Sequence, residues 1–93
     1  MPSAPEIIAF FKGIDSPHIV HRHHNTKHEE TYFIRFESES HIGEIVYWSR
    51  GIARFECGDI TTGKNVNMVD PYQIVDESYR STVLDFINRF GFS

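Results

Sequence analysis

The chain has 93 residues, nine Lys and Arg against thirteen Asp and Glu, and a formal net charge of −4. One domain over residues 1–93 is expected at this length, and the acidic balance argues against nucleic acid as a partner, which would need a basic stripe to displace counterions. The lone cysteine, Cys57, makes no internal disulfide and no apolar run is long enough for a bilayer, so a cytoplasmic protein without a membrane partner is expected.

The first residues carry neither a basic stretch nor an apolar run of the kind a secretion signal needs, so none is expected. Ser3-Ala4-Pro5-Glu6 has the marks of a helix start: a capping serine, a proline tolerated in the first turn, and a glutamate three residues after the cap. Ile7, Phe10, Phe11 and Ile14 then recur at helical spacing and form one apolar stripe. Gly13 stands where a left-handed residue often closes a helix, and Asp15-Ser16-Pro17 breaks it.

His18 to His24 gives a first strand of poor alternation, followed by a polar turn at Asn25-Thr26-Lys27-His28. Thr31 to Glu37 alternates more clearly, with Tyr32, Ile34 and Phe36 on one face and Phe33, Arg35 and Glu37 on the other. After the turn Ser38-Glu39-Ser40 comes the stretch that organises the chain, His41 to Val69. Two runs of β-branched and aromatic residues flank Ser49-Arg50-Gly51, and a third follows Thr62-Gly63-Lys64. This pattern predicts an antiparallel meander, ended by Asp70-Pro71. Asp76 is the expected cap of a last helix, with Glu77 in its first turn. Its stripe is Tyr79, Val83, Phe86, Ile87 and Phe90, widened by Leu84 and closed by Gly91.

The fold class that follows is α+β, an antiparallel sheet of about four strands with the N-terminal and C-terminal helices packed on one face. Alternation buries Tyr32, Ile34, Phe36, Ile45, Tyr47, Ala53, Phe55 and Cys57 beneath the helices. The opposite face then carries Phe33, Arg35, Glu44, Trp48, Arg54 and Glu56, a mixture of aromatics and charges richer than solvation requires. Trp48 has two readings, a core tryptophan or a partly exposed anchor, because Trp and Arg are enriched among interface hot spots. Arg50, at the tip of the hairpin, supplies a cation beside it.

Few residues suggest catalysis. His18, His21, His23, His24 and His28 lie within eleven residues. They lack a cysteine pair and any standard zinc-ligand spacing, so a metal- or pH-responsive surface stands as the alternative to a plain polar strand. Gly58-Asp59-Ile60-Thr61-Thr62-Gly63-Lys64-Asn65 mimics a phosphate-binding loop, but Asn65 lacks the hydroxyl that binds magnesium and a strand follows where a helix should open. Cys57 falls on the buried face, where a free thiol acts as a small hydrophobe. The carboxylates are scattered, with no acid–base couple. No cofactor, metal or small-molecule substrate is expected.

Ile42-Gly43-Glu44-Ile45-Val46-Tyr47-Trp48, then Gly51, Phe55-Glu56 and Asp59-x-x-Thr62-Gly63, resembles the small bacterial immunity proteins of polymorphic toxin systems, in particular the TriTu family. The resemblance extends to both terminal helices and to the Tyr32–Phe36 strand. It implies a cytoplasmic antitoxin with no catalytic activity of its own. The implied partner is the C-terminal toxin domain of an Rhs-type effector delivered by type VI secretion, a mono-ADP-ribosyltransferase that modifies elongation factor Tu. The implied mechanism is occlusion of the toxin cleft. The face assignment supplies the expected contact residues: Phe33, Arg35, Glu44, Trp48, Arg50, Arg54 and Glu56.

Overall fold

The computed structural model describes residues 1–93, the side chain of Asn67 excepted. The fold is α+β. Helix α1 (Ala4–Lys12) precedes five strands, β1 (Ile19–Asn25), β2 (Thr31–Glu37), β3 (His41–Trp48), β4 (Ile52–Asp59) and β5 (Asn65–Gln73), and helix α2 (Tyr79–Arg89) follows them. The strands pair antiparallel in sequence order, so each is joined to its neighbour by a hairpin and only β1 and β5 have a free edge.

The sheet has five strands rather than about four. The expected stop at Asp70-Pro71 does not occur, because β5 runs through a cis Asp70-Pro71 bond to Gln73. Proline removes a backbone donor, and an edge strand tolerates that loss. A shift in pairing between Ala53 and Phe55 takes up the irregularity there. The first strand lies one residue later than expected and includes Asn25, so the connection to β2 starts at Thr26.

Both helices cover the same face. Ser3 caps α1 through its side chain, which accepts the Glu6 N–H at 3.3 Å. Ile7, Ile8 and Phe11 are its buried residues, while Phe10 is only partly buried. Gly13 keeps right-handed geometry at φ −81°, not the left-handed turn its position suggests. The carbonyls that end this helix are satisfied from the sheet: Arg22 of β1 donates to Phe11 O at 3.0 Å and also to Ile14 O. A guanidinium at a helix C-terminus meets both the free acceptors and the negative end of the dipole. In α2 the helix begins at Tyr79, later than a cap at Asp76 implies, and its first turn holds no acidic residue. Asp76 still accepts the Ser78 N–H, at 2.9 Å. Leu84 points away from the core and is 48% exposed.

The eight sheet residues expected beneath the helices are all buried. Phe11 packs against Tyr32 and Tyr47, with ring centroids 6.3 and 5.8 Å apart, and Phe86 packs against Phe55 at 5.7 Å. Phe92, beyond α2, is fully buried and stacks on Phe36 at 5.1 Å. It fits because Gly43 lies beneath it: a Cβ at that position would stand 2.6 Å from the Phe92 ring. The β3–β4 turn closes with the Gly51 N–H on Trp48 O at 2.9 Å and Gly51 at φ 81°, a left-handed conformation that glycine adopts freely.

Candidate binding face

Among the described residues no layer covers the second face of the sheet. Its side chains fall into cross-strand rows fixed by the register. One row reads His21, Arg35, Glu44, Glu56 and Met68 from β1 to β5. The next reads His23, Phe33, Val46 and Arg54, and a third reads Asn25, Thr31, Trp48, Ile52 and Gln73. Directly opposed residues have Cβ atoms about 5 Å apart, so each row is a continuous strip of contact.

Phe33, Arg35, Glu44, Trp48, Arg54 and Glu56 thus share one surface, each half-buried. Arg50 lies at its end, in the β3–β4 turn, with its side chain 67% exposed. Trp48 is neither buried in the core nor free in solvent: it lies between Thr31 and Ile52.

Most of the charges on this face are paired. Arg35 reaches Glu44 at 3.0 Å and Glu37 at 3.2 Å. Arg50 crosses to Glu29 at 2.7 Å, tying the β3–β4 turn to the β1–β2 connection. Arg54 lies 3.9 Å from Glu56, the loosest of these pairs. Glu44 and Glu56 face one another across β3 and β4. Like charges placed directly opposite are unfavourable in a sheet, and Arg35 and Arg54 offset the cost. Exposed pairs of this kind add little stability, commonly about 0–1 kcal/mol each. Their main effect is to fix where the charges point.

The surface also includes residues outside the expected contact set: His21, His23, Val46, Ile52 and Met68. Their places depend on which strands pair and in what register. Alternation along β3 sets Val46 with Glu44 and Trp48, and the same alternation along β4 could have given Ile52. The spacing of His21 and His23 puts them on one face, as observed, but which face could not be read because that strand alternates poorly.

The histidines do not converge. His21 and His23 stack on the uncovered face with centroids 6.4 Å apart, whereas His24 pairs with Glu30 at 2.8 Å and packs against Tyr32. His18 lies against Phe92, far along the chain. Among the described residues no three His, Cys, Asp or Glu side chains stand together so as to hold a metal ion. The loop that mimics a phosphate-binding motif is a hairpin turn, in which Asp59 accepts the N–H groups of Thr61 and Thr62 at 2.8 and 3.2 Å. Cys57 is fully buried, and burial first, with Asp59 second, pushes its thiol up to about 11. A thiol so placed is protonated at neutral pH and is a poor nucleophile. A concavity of about 410 Å³ between α1 and α2 is lined by Phe10, Ile14, Leu84 and Ile87 and offers one carboxylate side chain, Asp15.

A small α+β domain with an uncovered sheet face of ordered aromatics and ion pairs has the form of a protein-binding module. The family described as Immunity protein TriTu matches residues 12–89. The chain therefore belongs to the TriTu family of immunity proteins, an assignment that carries an antitoxin role and a cognate toxin protein as partner. The match takes in all five strands and α2 and begins at the last residue of α1. No curated protein and no solved structure matches the chain significantly. Among the described residues no helix is long and apolar enough to cross a membrane.

Proposed function

We propose that this protein neutralises its toxin by laying the uncovered sheet face over the toxin's active-site cleft. Phe33, Arg35, Glu44, Trp48, Arg54 and Glu56 form the contact, with Arg50 at its rim. The toxin is a mono-ADP-ribosyltransferase acting on elongation factor Tu, carried as the C-terminal domain of an Rhs effector and delivered by type VI secretion. Neutralisation takes place in the cytoplasm, requires no cofactor, and proceeds by occlusion without catalysis by the immunity protein.

The family match over residues 12–89 carries the antitoxin reading. Support for the face comes from its chemistry. Trp48 and Phe33 supply apolar area of the kind that anchors interfaces. Arg35 and Glu44 are already oriented by their ion pair, so less of their side-chain freedom is lost on binding. The fixed placing of Arg35 beside Glu44 and Glu56 in one row, and of Arg54 in the next, also favours one docking register over others. A standard interface of about 1,200–2,000 Å² is within reach of a five-stranded face.

The test is growth of bacteria expressing the toxin domain encoded beside this gene, with and without this protein, followed by co-purification. Rescue with a stable complex is expected. Trp48→Ala and the reversals Arg35→Glu and Glu56→Arg should each weaken toxin affinity by ~10-fold or more. Unchanged affinity across all three would remove the face from the mechanism while leaving the antitoxin role intact. Absence of both rescue and complex would overturn the assignment to that toxin.

A further inference from the structure

One glycine on the uncovered face has no use within the fold. Gly58 of β4 stands between Ile42 of β3 and Asn65 of β5, in a further cross-strand row that begins at Glu37. A glycine inside a strand weakens it, and is kept where the chain turns or bulges or where something approaches closely. The chain supplies none of these reasons at Gly58. The glycines with positive φ are Gly51, Gly63 and Gly91. The pairing irregularity beside Gly58 places its extra residue, Val66, in β5. A Cβ at Gly58 would meet no atom of the described residues closer than Asn65 Oδ1, at 3.7 Å. Gly43 differs, because its missing side chain makes room for Phe92.

The missing side chain at Gly58 leaves a hollow. One part, of about 160 Å³, lies between Ile42, Glu44, Glu56 and Asn65. A second, of about 310 Å³, continues from Ile42 and Gly58 toward Ile60 and Gly63. Ile42 and Ile60 make the walls apolar, and Glu44 and Glu56 stand at one end. The part beside the glutamates is smaller than the ~300–1,000 Å³ of small-molecule sites, and it suits a single side chain of a partner protein. The charge around it is unbalanced. This row and the two next to it hold three carboxylates, Glu37, Glu44 and Glu56, against two guanidiniums, Arg35 and Arg54. Arg35 serves both Glu37 and Glu44, while Arg54 stays 3.9 Å from Glu56. One negative charge is left over where Glu44 and Glu56 face each other.

We propose that this hollow is the socket for one long basic side chain of the toxin, an arginine or a lysine. Its stem lies along Ile60, Gly58 and Ile42, and its charged end meets Glu44 and Glu56. The proposal rests on the reading of the uncovered face as the toxin-binding surface, with which the hollow is continuous through those two glutamates. Apolar walls and an acidic end match the two halves of such a side chain. The incoming cation also relieves the opposition of Glu44 and Glu56. Gly58 is then a specificity-determining position. A toxin with a carboxylate at the matching place would be repelled, and one with a short side chain would leave the hollow empty.

The test is titration calorimetry of the full chain with the toxin domain encoded beside this gene, and chemical denaturation of each variant alone. Gly58→Leu fills the hollow and should fold as stably as the unaltered protein, with toxin affinity lowered about tenfold or more. Gly58→Ala, whose Cβ makes only ordinary contacts, carries the same test if leucine disturbs the fold. Glu56→Gln should lower affinity about tenfold. A double-mutant cycle between Glu56→Gln and alanine replacements of the toxin's arginines and lysines should single out one coupled residue. Unchanged affinity on filling Gly58 would overturn the socket, and so would a cycle that finds no coupled basic residue. Trp48→Ala in the same series separates the two readings. A loss there with none at Gly58 would remove the socket and leave the face, whereas no loss at either would remove both.

Discussion

The two faces of the sheet use the same strands and alternate residues, yet they answer to different physics. The helix-covered face is a packed interior of Tyr32, Ile34, Phe36, Ile45, Tyr47, Phe55 and Cys57, every one 5% exposed or less. Its energy comes from apolar area removed from water and from close contact, about 25 cal/mol per Å² before cavities and strain are counted. On the uncovered face Arg35 pairs with Glu44 and Arg54 lies 3.9 Å from Glu56, with Phe33 and Trp48 half-buried among them. Little stability is gained there. One face keeps the domain folded, and the other is free to be specified by a partner.

That contrast is broken most severely at Phe92. Phe92→Ala would remove a fully buried ring stacked on Phe36 and packed over Gly43, and should cost about 3–5 kcal/mol in chemical denaturation. A loss below 1 kcal/mol would mean that the C-terminal segment does not close the core. Gly43→Ala attacks the same contact from below. Its Cβ would meet Phe92 at 2.6 Å and Phe86 at 3.3 Å, so overpacking should cost about 1–3 kcal/mol. The cost should shrink when Phe92 is also reduced to leucine, a coupling that a double-mutant cycle measures.

Cys57 sharpens the comparison through pH. Burial first, and Asp59 second, push its thiol from the ordinary 9.0 up to about 11. The unfolded chain therefore ionises before the folded one. The contribution is intact below pH 9.0 and is lost as pH rises toward 11, with a slope of about 1 kcal/mol per pH unit. Cys57→Ala should flatten that alkaline limb. A thiol reagent should modify the native protein only at the rate of unfolding, and rapid labelling at neutral pH would place Cys57 outside the core. The smallest effect is expected on the uncovered face, where Arg35→Ala removes pairs to Glu44 and Glu37 and should change stability by about 1 kcal/mol or less. A larger loss would make this face part of the folding core and weaken its assignment to a partner.

Some of this was legible from residue order. Period-two alternation in Thr31–Glu37 and across His41–Cys57 separates the buried set from the charged and aromatic set, because neighbouring side chains in a strand must point to opposite faces. The same alternation gathers Phe33, Arg35, Glu44, Trp48, Arg54 and Glu56 on one surface. Family membership was legible in the stretch from Ile42 to Gly63, and the family match includes it.

The residues that departed from expectation depend on contacts distant in the chain. Asp70-Pro71 reads as a strand terminator, and only the position of β5 at the sheet edge lets the strand continue to Gln73. Leu84 fits the helical stripe by spacing but is 48% exposed, because the sheet supports only part of the width of α2. Phe92 belongs to no periodic pattern and is buried because Gly43, on a distant strand, leaves room for its ring. Arg22 reads as one more polar residue in a histidine-rich strand until the end of α1 is set beside it. The sequence by itself determined the α+β class, the two terminal helices and the two faces of β2, β3 and β4, since those follow from local period and turn chemistry. The tertiary structure alone decided which strands are edges, what fills the space over Gly43 and which side chains end a helix, since each depends on residues that folding brings together from far apart.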